Sequence, residues 1–543
     1  MKGMSYIEKD FPIERLNEIA LKEANAKKPI YQIHKWWARR LGSIFRMIIL
    51  AAFSPKDISE AELWRRFYRK TDLGGKIILD PFMGGGTTVI EALKLGCRVI
   101  GIDIHPVAWF ITKKEVEPLN LDKFKEEFKR LEERVAEKIK RYYKTICPSC
   151  GQEADVMYVF WVKKIRCLRC GNQVPLFNSF RIASLSRRLH VVFCPDCKEV
   201  MEVEDLNEEA VCPSCEKRFI PSKGYAGRGY YHCPVCGHKG KILRVVKREG
   251  KIPDMEMYAI EYYCPHCRER GYKKAEDYDR ELYLKAKEEF ERRKDDLPFP
   301  RQKIPIGEKT REPLNYNYKY FYQMFNERQL LCLSTLLQEI LKIKDENIKE
   351  YMILTFSDML QTNNMFCRYE PDTRKITVTG GGYHAYWPPL APTENNIWGT
   401  KFGRGTFKRV FRKTERAKSY CEYPYEIKVL NNKTQKVILM NLVYGLFTDS
   451  FMDLLNGKGN LIIKSQTSED LSFIPDRSVD AVITDPPYYD NVMYSEIADF
   501  FYVWQRLALK DKYECYESEY SPRAREIIKN EVQGKDDDFF LRG

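Results

Sequence analysis

The sequence predicts an α/β protein whose partial parallel sheet, of nucleotide-binding type, is interrupted by a long cysteine-rich insertion. Three features predict this fold. A strand, a glycine loop, a helix and a second strand follow one another at residues 76–103, and six Cys-x-x-Cys pairs lie between residues 147 and 267. Another strand-like segment then ends at Thr484-Asp485-Pro486-Pro487-Tyr488. We expect four domains, at residues 1–120, 121–295, 296–457 and 458–543.

Composition limits the class of protein. The 543 residues are 44% hydrophobic and 31% charged, as in a globular protein with an ample core. No apolar run approaches the roughly 18–20 residues of a membrane span, and the N-terminus lacks the apolar segment of a secretory signal. We therefore expect a cytoplasmic protein. Its net charge of +14 favours a polyanionic partner.

The first α/β element reads as a cofactor-binding unit. Ile77–Leu79 is a predicted buried strand that ends at Asp80, and the glycines at 84–86 allow a ligand to approach the backbone closely. Thr87–Lys94 is a predicted helix. The next strand ends at Asp103, about 20 residues after the loop, where an acid can bind both hydroxyls of a ribose. The unit predicts a nucleoside-type cofactor.

An unusual aromatic and basic segment precedes this unit. Trp36 and Trp37 are adjacent and are flanked by Lys35, Arg39 and Arg40. Core packing alone explains such a pair, and so does a ligand-lining role, because indole faces attract cations. Both interpretations stay open at this point.

The cysteine pairs predict zinc. Twelve of the 17 cysteines form Cys-x-x-Cys pairs, which in a cytoplasmic chain indicate metal rather than disulfides. Taken two pairs at a time in chain order, the intervals are sixteen, fourteen and twenty-seven residues, so we predict three successive Cys₄ zinc ribbons with structural ions. The ligands would be Cys147, Cys150, Cys167 and Cys170; Cys194, Cys197, Cys212 and Cys215; and Cys233, Cys236, Cys264 and Cys267.

Two charged helical segments flank the cysteines, at Leu121–Thr145 and Lys273–Arg293. Their apolar positions repeat with helical spacing. They are either antiparallel arms that lead into and out of the insertion or two independent solvated helices.

The segment at Asp485 carries a second possible site. Prolines cannot donate to a sheet ladder, so Pro486 and Pro487 stop the strand and leave Asp485 and Tyr488 at its carboxyl end. Open α/β sheets bind ligands there. An acceptor carboxylate beside a stacking ring suits a flat exocyclic amino group. The alternative is a plain strand end followed by a proline turn.

One basic stretch is a candidate for nucleic-acid contact. Lys401–Lys418 holds eight basic residues and one acid with phenylalanines interleaved, which suits phosphate contacts and base stacking. A solvated basic face is the competing interpretation. We interpret His384 as a loop or packing histidine rather than a catalytic residue.

Together these motifs resemble a known family. DPFMGGGTT with Asp103, and DPPY, are similar to the amino-group DNA methyltransferases that use S-adenosylmethionine. The segments IHKWWARR, FNERQL and DPPYYDNVMYSEIADFFYVW, with the cysteine knuckles, resemble more closely the adenine-specific DNA methylases that contain a zinc ribbon, from about residue 28 to 543. The resemblance implies a Rossmann-like class I methyltransferase core whose targets are read partly by the insertion.

The resemblance also assigns roles. It implies that Asp485 and the Pro486 carbonyl accept hydrogen bonds from the target amino group and that Tyr488 stacks on a flipped base. It implies DNA as the partner, S-adenosylmethionine and about three Zn²⁺ ions as cofactors. The cofactor-binding positions are Trp37, Arg39, Asp80, Pro81, Phe82, Gly84, Gly86, Thr87 and Asp103; the catalytic positions are Asp485, Pro486, Pro487 and Tyr488.

Alternatives remain to adenine-N6 methylation of DNA. DPPY sites also handle cytosine N4 and, in RNA, guanine N2. A catalytically inactive, zinc-ribbon nucleic-acid-binding subunit is the alternative from another class.

The chain departs from the family in two places. The acid that usually follows the third strand has no clear counterpart in Ser465–Asp470, although Asp470 is a candidate. About 55 residues follow Tyr488, and none is predicted to add a strand to the sheet. We therefore expect a second polypeptide to complete the sheet, or the chain to be a truncated gene product.

Overall fold

The computed structural model describes residues 4–378 and 386–542, so His384 lies outside the described residues. The chain forms two compact units. The first comprises Met1–Glu127, Lys344–Asp358 and Phe411–Gly543, and the second comprises Phe128–Ile343 and Met359–Val410. The four domain boundaries expected from sequence stay a prediction.

The secondary structure is mixed α/β. The α-helices are α1 (Ile13–Asn25), α2 (Gly42–Ala52), α3 (Glu60–Phe67), α4 (Thr87–Lys94), α5 (Pro106–Val116), α6 (Leu121–Lys140), α7 (Ile242–Glu249), α8 (Asp277–Arg293), α9 (Arg311–Asn315), α10 (Glu327–Leu341), α11 (Glu346–Met359), α12 (Phe407–Glu422), α13 (Phe451–Leu455), α14 (Tyr494–Leu509) and α15 (Asp537–Arg542). The strands are β1 (Ile77–Asp80), β2 (Arg98–Asp103), β3 (Lys144–Ile146), β4 (Glu153–Arg166), β5 (Gln173–Pro175), β6 (Arg181–Ser186), β7 (Leu189–Phe193), β8 (Val200–Val203), β9 (Ala210–Val211), β10 (Arg218–Phe219), β11 (Ala226–Gly227), β12 (Tyr230–His232), β13 (Lys239–Lys241), β14 (Asp254–Cys264), β15 (Glu269–Lys274), β16 (Tyr369–Glu370), β17 (Lys375–Ile376), β18 (Thr393–Asn395), β19 (Tyr425–Leu430), β20 (Lys433–Ile438), β21 (Leu461–Ser465) and β22 (Ala481–Val482).

The first unit contains a four-stranded parallel sheet in the order β21–β2–β1–β22. The predicted α/β class with a parallel sheet is confirmed. The strand predicted at 479–484 is shorter than expected, although the amides of Asp480 and Ile483 still donate to carbonyls of β1 at 2.9 and 3.0 Å. Among the described residues after β22, helices and turns follow and no strand joins this sheet.

A fully buried network of charged side chains joins α4, the helix after the glycine loop, to Lys28 and Glu426. Glu91 and Lys94 lie on α4, and Lys94 Nζ lies 2.5 Å from Glu426 Oε1. Lys28 Nζ contacts the other oxygen of Glu426 at 2.7 Å, and all four side chains are 0% exposed. Burial alone would raise the pKa of Glu426, but the two ammonium groups and Arg46 outweigh it and hold the pKa at about 2. These ion pairs hold in place the helix that directly follows the glycine loop.

The second unit is built on one long antiparallel strand pair. The strands β4 and β14 run side by side over most of their length, inside the order β15–β14–β4–β18, with β3 and β5 also paired to β4. Small sheets β6–β7–β8, β9–β10 and β11–β12–β13 come from the chain between β4 and β14. Among the described residues, no helix combines the length and apolarity of a membrane span.

The basic stretch Lys401–Lys418 is less available than the sequence indicates. Most of it forms α12, whose Phe407 and Phe411 are buried and are not free to stack on bases. Lys418 is also buried, and its Nζ donates to the carbonyl oxygens of Glu115 and Glu117, each at 2.7 Å. The expectation of base stacking is therefore wrong for Phe407 and Phe411, because their rings form part of the core, whereas Phe402 is 37% exposed.

Candidate active site and metal centres

A cavity in the first unit lies at the carboxyl ends of β1, β2 and β22. Its walls come from the glycine loop, the acid after β2, the segment after β22, the segment at 36–40 and a stretch near 522–527. The segments that follow these parallel strands meet at this edge of the sheet, and open parallel sheets bind ligands at that edge. The predicted site residues that line it are Trp37, Arg39, Asp80, Pro81, Phe82, Gly84, Thr87, Asp103, Asp485 and Pro487. Gly86, Pro486 and Tyr488 lie beside this lining.

Asp80 joins the two predicted motifs. Thr484 Oγ1, just before Asp485, donates to Asp80 Oδ1 at 2.6 Å, and the amide of Phe82 donates to the same oxygen at 3.1 Å. Burial raises the pKa of Asp80 to about 6. The loop after β1 and the turn after β22 are therefore held together by one carboxyl group.

Asp103 is fixed by the backbone of the glycine loop. Gly84 N–H donates to Asp103 Oδ2 at 2.9 Å, and His105 N–H donates to Oδ1 at 2.8 Å. Desolvation raises the pKa of Asp103 to about 7. Each oxygen keeps a second lone pair, so the carboxylate can accept two further hydrogen bonds.

Arg39 lies on the glycine loop with part of its guanidinium unsatisfied. Its Nη1 pairs with the buried carboxylate of Glu115, while Nε and Nη2 have no acceptor among the described residues. A Cβ added at Gly85 would lie 2.7 Å from both Nε and Nη2, so only glycine lets the guanidinium lie there. Two buried donors without acceptors cost about 1–3 kcal/mol each, which a bound carboxylate would relieve.

The two tryptophans play different parts. Trp36 stacks on Tyr494 with ring centroids 5.5 Å apart, and its Nε1 would be 3.0 Å from a Cβ at Gly84. Trp37 packs at a tilt on Phe501, with centroids 5.8 Å apart. Both line the cavity, but Trp36, which sequence reasoning did not select, lies directly on the glycine loop. In the sequence, only the glycines at 84–86 indicated that a bulky group lies close to this backbone.

Asp485 is engaged through both of its oxygens. Arg40 Nε pairs with Oδ2, and the hydroxyl of Tyr488 donates to Oδ1. The Arg40 guanidinium lies 5.0 Å from the centroid of the Tyr488 ring, whose side chain is 48% exposed. The hydrogen bond to Asp485 raises the pKa of Tyr488. Sequence reasoning missed Arg40, because 445 residues separate it from Asp485.

The second unit brings all twelve predicted cysteines into three groups of four. The sulfur atoms of facing knuckles lie 3.5–3.9 Å apart. Tetrahedral Zn–S bonds of about 2.3 Å require sulfur atoms roughly 3.8 Å apart, whereas a disulfide needs about 2.05 Å. The donor set therefore fits zinc.

The predicted pairing of the knuckles is wrong for two groups. The structure groups Cys147 and Cys150 with Cys264 and Cys267, and Cys167 and Cys170 with Cys233 and Cys236. Only the predicted group of Cys194, Cys197, Cys212 and Cys215 is confirmed. The cause is the antiparallel pairing of β4 and β14, which places the start of one strand beside the end of the other. The three groups are nested, not successive.

The protein has an α/β fold in which the glycine loop after β1 and the proline turn after β22 line one cavity. Residues 46–114 match a family model described as DNA methylase, of N6/N4 type, and residues 10–70 match a family described as a protein of unknown function. Over that matched segment the chain is similar to the DNA methylases, in agreement with the resemblance seen in the sequence. The match contains the glycine loop, Asp80 and Asp103, and it does not address the zinc groups.

Two curated relatives match a short part of the chain. The Type II methyltransferase M.MjaII of Methanocaldococcus jannaschii is 41% identical over 51 residues, which are 9% of this chain and 10% of that protein. The Type II methyltransferase M.MvaI of Kocuria varians is 36% identical over 62 residues, 11% of this chain and 14% of that protein. The chain thus spans about a tenth to a seventh of these relatives. No solved structure matches.

Proposed function

We propose that this chain is an S-adenosylmethionine-dependent DNA methyltransferase that acts on an exocyclic amino group, adenine N6 above all. The observation that carries the proposal is a single cavity holding Asp103, the glycine loop and Asp485. The Thr484–Asp80 hydrogen bond fixes the cofactor-type loop beside the amine-acceptor turn. A class I methyltransferase core is the fold that this arrangement favours.

The residues present fit the proposed cofactor. Asp103 offers acceptor positions for ribose hydroxyls, and the orphaned Nε and Nη2 of Arg39 form the edge of a guanidinium that binds a carboxylate bidentately. Gly85 keeps the loop backbone close to that edge. We assign Arg39 to the carboxylate of the methionine end and Asp103 to the ribose. When bound, S-adenosylmethionine supplies an electrophilic methyl group.

The chain's own residues would prepare the amine. An exocyclic amine is a poor nucleophile because its lone pair is delocalised into the ring. Asp485 and the Pro486 carbonyl accept its two N–H bonds and hold the nitrogen with its lone pair directed away from both acceptors. Alignment of the two reacting groups then supplies most of the catalysis. A base in a duplex cannot reach this cavity, so the target must flip out of the helix.

The target has to displace one contact of Asp485. The Tyr488 hydroxyl occupies Oδ1 and Arg40 occupies Oδ2. When Tyr488 turns its ring onto the base, Oδ1 becomes free for the amine while Arg40 still orients the carboxylate. We therefore assign Arg40 as a positioning residue.

Zinc in the three Cys₄ groups is part of the proposal. Four thiolates leave no open coordination position for a reacting water, so the ions would be structural. Each would hold two knuckles together; Cys194 and Cys212 lie in one buried apolar cluster, and Cys167 and Cys233 lie in another.

A second polypeptide also belongs to the proposal. Among the described residues β22 is an outer strand of the sheet, and Val482 is 57% exposed. An added strand would pair with that edge. Full methylation of DNA by the purified chain alone would exclude the need for it.

Methyl transfer from labelled cofactor to DNA tests the proposal. We expect label in duplex DNA as N6-methyladenine and none in tRNA. Asp485→Ala should lower the rate by at least about 10²-fold, as loss of a group that stabilises developing charge does, and leave DNA affinity unchanged.

Other outcomes decide between the alternatives. Label in N4-methylcytosine would show that the target base is cytosine. Label in tRNA guanine would show that the substrate is RNA. DNA binding without methyl transfer, with or without added partner, indicates an inactive nucleic-acid-binding subunit.

A further inference from the structure

One exposed surface of the second unit is strongly basic. It consists of Lys239, Lys241, Arg244, Lys247 and Arg248, on β13 and α7, and we call it the α7 basic surface. All five side chains are exposed, and none forms an ion pair among the described residues. This segment is short and lies among the cysteine knuckles, so its charge does not stand out along the chain.

The helix α7 is amphipathic. Ile242, Val245 and Val246 are buried in a cluster that contains Cys167 and Cys233. Helical geometry of 100° per residue puts Arg244, Lys247 and Arg248 on the side away from that buried face. The surface is therefore attached to the knuckle group of Cys167, Cys170, Cys233 and Cys236, and its orientation is fixed by packing.

The position of the charges opposes local stability. Lysines and arginines near the C-terminus of a helix are favourable, which accounts for Lys247 and Arg248. Lys241 is the N-cap residue and Arg244 lies in the first turn, where a positive charge is unfavourable. Five cations without an ion pair among the described residues lie within ten positions and repel one another. Charges that break a local rule without a partner in the chain indicate a partner outside it.

We propose that the α7 basic surface binds the phosphate backbone of the DNA duplex. This inference rests on the proposed function for the identity of the polyanion. From Lys241 to Arg248 the helix extends about 10 Å at 1.5 Å per residue. A duplex carries one negative charge per about 1.7 Å of its axis, so several phosphates fall within that length. All five of its side chains are cationic and exposed, which suits contact with phosphates.

A salt titration of DNA binding tests the surface on the zinc-loaded full chain. The test variant combines Lys241→Gln, Arg244→Gln, Lys247→Gln and Arg248→Gln, since glutamine keeps helix propensity and removes charge. Each phosphate contact adds about 0.9 to the slope of log K against log salt. We expect the slope to fall by about 2 to 4 and the affinity at 0.1 M salt to fall at least about tenfold.

A matched control removes the same charge elsewhere. Lys123, Lys129, Lys285 and Arg292 lie exposed on α6 and α8 and have no ion pair among the described residues. Replacing these four by glutamine should leave slope and affinity within twofold of the unaltered chain. Equal losses in both variants would mean that only net charge matters, and this would overturn the proposal. An unchanged slope in the α7 variant would overturn it as well.

Two further readouts keep the result interpretable. Zinc content must equal that of the unaltered chain, and the single charge reversal Arg244→Glu should lower affinity in the same direction if the quadruple variant does not fold. Loss of affinity for structured RNA alone, with DNA binding intact, would assign the surface to RNA and overturn the proposal. If the α7 variant loses DNA affinity but the unaltered chain transfers no methyl group, the surface still binds DNA and the proposed methyltransferase function is wrong.

Discussion

The nested grouping of the cysteine knuckles makes a sharp prediction about metal content. Replacing Cys147, Cys150, Cys264 and Cys267 by serine removes one complete group, because the structure places these four sulfur atoms together. Facing sulfurs there lie 3.7 and 3.9 Å apart, although 114 and 120 residues separate them in sequence. We therefore expect the bound zinc to fall from about three ions per chain to about two.

Pairing in chain order gives a different number. If Cys147 and Cys150 shared an ion with Cys167 and Cys170, the same four substitutions would damage two groups, and about one ion would remain. Elemental analysis of purified protein after exhaustive dialysis separates the two values. The matched control replaces the four cysteines of the innermost group, which should leave about two ions under either pairing. A content of one ion in the outer variant, with two in the control, would refute the nested grouping.

The remaining predictions concern the first unit. Glu426→Gln leaves Lys28 and Lys94 buried without their shared carboxylate, so the free energy of unfolding should fall by about 3–5 kcal/mol in chemical denaturation; a loss below about 1 kcal/mol would contradict this. The pKa of Asp103 is about 7 in the folded state, against an ordinary value of 3.8. Between about pH 4 and 7 the folded state therefore binds one proton more than the unfolded state. This contribution to the free energy of unfolding is lost as pH rises from about 4 to 7. Asp103→Asn should flatten that slope in thermal melts, and an unchanged slope would assign it to other groups. Gly85→Ala places a methyl group 2.7 Å from the Arg39 guanidinium and should weaken S-adenosylmethionine binding at least about tenfold by calorimetry, while unchanged affinity would exclude Arg39 from the site.

The glycine-loop half of the candidate site follows from local sequence. Strand, glycine loop, helix and second strand are adjacent along the chain, and α4 begins and ends at the predicted Thr87 and Lys94. Each Cys-x-x-Cys knuckle is equally local, so all twelve candidate ligands were found by spacing alone. Such features are readable because the residues that make them lie within one turn or one supersecondary unit.

Long-range pairing was beyond the sequence. Arg40 with Asp485 and Lys28 with Glu426 join residues 445 and 398 positions apart, and no spacing rule connects them. The sequence of the basic stretch at 401–418 suited nucleic-acid contact, but Phe407 and Phe411 are buried in the structure and belong to the core. An amphipathic pattern shows which residues share a face, and only packing shows which face is covered.

Spacing along the chain predicted the α/β class, the glycine loop, the proline turn after Asp485 and twelve cysteines placed to hold metal. Only the folded structure shows which knuckles lie together, which arginine pairs with Asp485 and which basic surface stays exposed. The physical reason is the same in each case: chain spacing fixes local geometry, whereas the partners across a sheet or a core depend on how distant strands pair and which side chains the fold removes from water.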